Sequence, residues 1–116
     1  MKTLVMACLA LSCIATSCKS VYSTTSIEPR KAFVLGDNDH GAFEVTIKNV
    51  SAAPVDLVKV PNGGAREYIT TLQPRKSASL RIEQNVALYV ENKSNDKVSV
   101  ELNLQTNTHL SMGYKE

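Results

Sequence analysis

Phe43-Glu44-Val45-Thr46-Ile47-Lys48 alternates apolar and polar residues without a break, and Val98-Ser99-Val100-Glu101-Leu102-Asn103-Leu104 does the same nearer the end of the chain. A period of two puts Phe43, Val45 and Ile47 on one face of an extended strand and Glu44, Thr46 and Lys48 on the other; a helix would scatter them. Both stretches therefore read as half-buried β-strands. Outward from them, residues 32 to 35, 55 to 60, 66 to 72, 78 to 82, 86 to 91 and 109 to 114 are rich in β-branched or aromatic side chains. Gly36 to Gly41, Pro61-Asn62-Gly63-Gly64 and Gln73-Pro74 punctuate them. Seven or eight short strands without a helical segment predict one all-β domain over residues 32–116, a single antiparallel sandwich or barrel.

Within that pattern the sequence echoes itself. Ile47-Lys48-Asn49-Val50-Ser51-Ala52-Ala53-Pro54-Val55-Asp56-Leu57 aligns without gaps against Val90-Glu91-Asn92-Lys93-Ser94-Asn95-Asp96-Lys97-Val98-Ser99-Val100. Asn and Ser at the turn can bond to nearby backbone, so both segments read as hairpins of one design. The echo is either convergence on good turn chemistry or duplication. Asn49-Val50-Ser51 and Asn92-Lys93-Ser94 also match the N-glycosylation sequon.

The 116 residues, 43% hydrophobic and 21% charged, fit one globular domain. The net charge of +2 falls by one if Lys2 is removed, which argues against nucleic acid as a partner. Cys8, Cys13 and Cys18 all fall at the N-terminus, leaving the body of the chain without a disulfide framework or a cysteine metal site.

Lys2 followed by the apolar and small stretch Leu4 to Ala15 has the charge and length of a secretory signal and is too short to span a bilayer. It ends in Ala15-Thr16-Ser17-Cys18, which resembles the bacterial lipobox; Ala10-Leu11-Ser12-Cys13 is a second, weaker match. The resemblance implies a signal helix over 1–17, cleavage before Cys18, acylation of Cys18 with fatty chains such as palmitate, and sorting to the outer membrane because Lys19-Ser20 follows rather than Asp. The periplasmic face is expected, with the cell surface as the other possibility. Each buried methylene contributes about 0.8 kcal/mol, so two or three chains hold a soluble domain at a membrane. Residues 18–31, with Ser20, Ser23, Thr24, Thr25, Ser26 and Pro29, read as the lipidated cysteine and a flexible tether.

The Asn-x-Ser turns, and Leu72-Gln73-Pro74 leading into Leu80-Arg81-Ile82, resemble immunoglobulin-like sandwiches of bacterial envelope proteins. That likeness supports a fold, not a function.

No residue pattern names a chemistry. His40 and His109 are the only histidines, and no serine sits in a Gly-x-Ser-x-Gly elbow. Asp37-Asn38-Asp39-His40-Gly41 departs from a calcium loop, with Gly in fifth place and Lys48 in twelfth, and reads as a solvated turn. No cofactor or metal is expected. Arg66, Arg75, Lys76 and Arg81 form a basic run that is either an ordinary charged sheet face or a contact for an anionic glycan or acidic protein. Tyr68 and Tyr89 are the mid-chain aromatics that could serve a sugar. The reading is a non-enzymatic, membrane-anchored envelope module for a protein or glycan partner. The alternative is a small inhibitor or accessory subunit of an envelope enzyme or export machine, using Pro61-Asn62-Gly63-Gly64-Ala65-Arg66.

Overall fold

A computed structural model describes residues 19–106 and 110–115; the expected signal segment, Cys18 and His109 lie outside them. Nine strands are described: β1 (Lys19–Ile27), β2 (Ala32–Leu35), β3 (Phe43–Asn49), β4 (Val55–Pro61), β5 (Glu67–Leu72), β6 (Ser77–Ile82), β7 (Val86–Glu91), β8 (Val98–Thr106) and β9 (Met112–Lys115). All pair antiparallel, in one sheet ordered β1-β8-β3-β6 and another ordered β9-β2-β7-β4-β5. The two sheets make a β-sandwich. Phe43, Val45 and Ile47 of β3 and Val100, Leu102 and Leu104 of β8 share its core with Leu57 of β4 and Leu88 and Val90 of β7. The alternation that defined β3 in the sequence is its burial pattern in the fold, each odd-numbered residue inward and each even one exposed.

The structure corrects two expectations. Residues 19–27 are not part of a tether; they form β1, in register with β8 from Lys19↔Thr106 to Ile27↔Val98. On the face shared with buried Ile27 stand Thr25, also buried, and Ser23. Hydroxyl residues thus occupy positions where an apolar alternation would have announced a strand, while the β-branched threonines suit an extended backbone. Nor do the echoed turns close hairpins. β3 and β4 belong to different sheets, as do β7 and β8, so residues 50–54 and 93–97 are arches across one end of the sandwich. Among the described strands only β4 and β5 are consecutive in sequence and also paired; Gly63, at φ 72° in their turn, takes a left-handed conformation that glycine adopts without strain.

One buried asparagine holds each arch. Asn49 Nδ2 donates to the carbonyls of Ala53 (2.8 Å) and Leu72 (2.9 Å), and its Oδ1 accepts from the backbone N–H (3.0 Å) and hydroxyl (2.7 Å) of Ser51. Asn92 Nδ2 donates to Asp96 (2.7 Å), Ile27 (3.0 Å) and Glu28 (3.2 Å), and its Oδ1 accepts from the N–H (2.9 Å) and hydroxyl (2.6 Å) of Ser94. The asparagines are 0% and 1% exposed. Neither sequon is open to a glycosylating enzyme in the folded chain.

The echo extends well past these arches. Swapping β1-β2-β3-β4 for β5-β6-β7-β8 turns the order β1-β8-β3-β6 into β5-β4-β7-β2, which is the other sheet without β9. Ile27-Glu28-Pro29-Arg30-Lys31-Ala32 matches Leu72-Gln73-Pro74-Arg75-Lys76-Ser77. Each of these Pro-Arg-Lys turns carries its arginine in the left-handed region, at φ 65° and 69°. Each closes from the lysine N–H back to the residue before proline, at 3.2 and 3.1 Å, and each lysine carbonyl accepts from an arch asparagine N–H at 2.9 Å. Shared turn chemistry alone does not produce four matched strands in swapped sheets; the domain is a pseudo-two-fold repeat of a four-strand unit, with β9 added at one edge.

Candidate functional site

The four cations of the basic run are not brought together. Arg81 lies on the outer face of the four-stranded sheet, 3.7 Å from the Glu44 carboxylate, with both side chains largely exposed. Arg75 and Lys76 sit in the β5–β6 turn. Arg66 reaches over the opposite sheet, its Nη2 2.7 Å from Glu91 Oε2. Glu91 is the last residue of β7 and points outward, since Leu88 and Val90 supply the core.

Around that glutamate the fold gathers a set of cations that are distant in sequence. Arg30 and Lys31 come from the β1–β2 turn, Lys93 from the second arch and Lys115 from β9; together with Arg66 they line a cleft of about 240 Å³ that also contains Tyr89 and Glu91. Strand register explains the convergence: Ala32 pairs with both Glu91 and Lys115, and the Asn92 N–H donates to the Lys31 carbonyl. Lys93 Nζ is 3.2 Å from Asp56 Oδ2 and 4.0 Å from Glu91 Oε1. Lys115 Nζ is 3.0 Å from Asp37 Oδ2, and the hydrogen bond to that carboxylate holds the Lys115 ammonium above the ordinary lysine range. Arg30 Nη2 donates to Asn95 Oδ1 at 2.6 Å. Glu91 Oε1 is buried and, among the described residues, has no hydrogen-bond partner.

Of these residues sequence reasoning found Arg66 and Tyr89. It missed Arg30, Lys31, Lys93, Lys115 and Glu91, which lie on four different segments; the repeated Pro-Arg-Lys was the available signal. Tyr68, the other aromatic proposed for a sugar, is 60% exposed and hydrogen-bonds Thr71, which in turn donates to Asp56 Oδ1 at 2.7 Å. Tyr68 and Tyr89 flank Val58 from neighbouring strands, so both belong to the outer face of the five-stranded sheet.

His40 is not in a solvated turn. It is 6% exposed and packs edge-on to Phe43 at 5.2 Å. Its ring nitrogens face the carbonyls of Gly41 (2.5 Å) and Val86 (2.9 Å), and its backbone N–H donates to Asn85 Oδ1 at 2.8 Å. Gly36, at φ 81°, lies so close beneath that a Cβ there would meet His40 Nε2 at 2.8 Å. The histidine is a packing post for the β2–β3 loop. Among the described residues no group of three or more His, Cys, Asp or Glu side chains could hold a metal ion.

The larger depression, about 340 Å³, is a shallow polar stretch of the four-stranded sheet between Glu44, Ser79, Arg81 and Gln105. It lacks the buried, unsatisfied group and the ring of cations that distinguish the smaller cleft. No protein-family model, no curated protein and no solved structure matches this chain.

Proposed function

We propose that the protein is a lipid-anchored module of the bacterial envelope, tethered through Cys18, that acts by binding an envelope protein or glycan rather than by catalysis. One placement supports this reading most directly. β1 runs nine residues from Lys19, just after the proposed anchor, to Ile27, whose carbonyl bonds Asn92 beside the basic cleft. At about 3.3 Å per residue, the chain thus enters β1 roughly 26 Å from that end. An anchor at Cys18 would hold one end of the sandwich and leave the cleft turned away from the lipid.

The test is a Cys18→Ala variant. The parent protein should incorporate labelled palmitate and sediment with outer-membrane density, and the variant should do neither and appear in the soluble fraction. Continued labelling of the variant would overturn the anchor. The second reading, an inhibitor or accessory subunit, rests on the β4–β5 hairpin, whose residues 62–66 are all exposed. In-cell crosslinking separates the two, since a partner crosslinked through residues 62–65 of that hairpin would support the accessory reading and one crosslinked through the cleft, which includes Arg66, the first.

A further inference from the structure

The geometry points to a defined ligand class for the cleft: we infer that it binds an acidic sugar, as a residue within a glycan. The inference rests on the binding-module reading and gives it a substrate. A carboxylate or phosphate would find Arg30, Lys31 and Lys115 at the rim, on the turn and on the edge strand β9. A simple anion, however, would leave Glu91 unexplained. Its Oε2 takes the Arg66 guanidinium, while Oε1 is buried with the Lys93 ammonium 4.0 Å away, beyond hydrogen-bond distance, in a side chain only 14% exposed. A buried acceptor is costly to leave unmade, and the ligand group that completes it is a hydroxyl or amine, not a second anion. Tyr89 adds a ring on which the apolar face of a pyranose can rest. An anionic group, hydroxyl donors and an apolar ring face are united in an acidic sugar. A flat anionic bilayer would meet Arg30 but could not reach into a concavity to Glu91.

Arg30 stands at φ 65° in a turn position where glycine or asparagine is at home. Arg75 occupies the equivalent place in the other half at φ 69°. Around Arg75 the counterparts of Tyr89, Glu91 and Lys93 are Thr46, Lys48 and Val50. The second corner keeps the charge and lacks the ring and the acceptor, so it serves as an internal control.

The experiment is a titration of the full protein, purified from whichever cell fraction holds it, with galacturonic acid oligomers, a neutral glucose oligomer of equal length, sodium acetate, and phosphatidylglycerol vesicles. The expected result is binding of the galacturonate oligomer alone, weakened at least tenfold by Arg30→Gly and unchanged by Arg75→Gly. Glycine fits both φ values, so both variants should melt no lower than the parent. Equal binding of the glucose oligomer, competition by acetate at matched concentration, equal loss in the two variants, preferential capture by vesicles, or no binding at all would each overturn the site. A soluble, unlipidated protein that still binds the oligomer would sink the anchor and leave the site standing. A lipidated one that ignores it would do the reverse.

Discussion

At the scale of single residues, Asn49 and Asn92 do the work that a strand ladder cannot do where the chain leaves one sheet for the other. Each Nδ2 serves carbonyls from two separate segments, and each Oδ1 fixes the serine two residues on. Truncation to alanine strands one buried carbonyl, that of Leu72 or of Ile27, together with at least one part-buried carbonyl. Asn49→Ala and Asn92→Ala should each cost about 2–4 kcal/mol, read as a drop in urea midpoint at unchanged slope. Aspartate should be worse at either position, because it would aim a carboxylate at the same carbonyls. A cost below about 1 kcal/mol for either alanine variant would mean that the arch is held by something else. This chemistry was legible in the sequence, since Asn-x-Ser bonding to its own backbone was expected. What the two segments connect was not, because a turn's residue types do not say which sheet the next strand joins.

At the scale of elements, legibility followed the contrast between faces. β3 from Phe43 to Lys48 and β8 from Val98 to Gln105 are apolar inward and polar outward, and a period of two finds them. β1 has Ser23 and Thr25 on its inward face, so hydropathy alone made it a tether. Strand and tether differ in a measurable way. As a strand, β1 should show protection of alternate backbone amides over residues 21–27, on the order of a hundredfold or more in native-state hydrogen exchange. A tether would exchange all of them at coil rates. The basic cleft was hidden for a related reason: its charges come from the β1–β2 turn, the β4–β5 loop, the second arch and β9, and only strand register brings them together. Arg75, Lys76 and Arg81 look like a cluster in sequence, yet the β5–β6 turn and the outward face of β6 send them different ways.

At the scale of the whole molecule, the repeat has a consequence for how the chain can fold. In both sheets every hydrogen-bonded neighbour pair joins a strand from β1–β4 to one from β5–β9: β1 and β3 pair only with β6 and β8, and β2 and β4 only with β5, β7 and β9. Neither half contains a strand pair of its own. A chain cut between Gly63 and Gly64, in the exposed turn that joins the halves, should therefore yield two fragments, neither of which forms this sheet as a monomer. Each loses its ladder partners and the opposing half of the core that Ile47, Leu57, Leu88 and Leu102 share. Mixed together, the fragments can restore every pairing except the one turn that was opened, at an exposed site that tolerates nicking. The expected result is coil-like circular dichroism from each fragment alone and a native sheet spectrum with one cooperative melt from the equimolar mixture. A folded monomer from either fragment would show that the halves are separable units and that the interleaved pairing is not what makes the sandwich a single cooperative body.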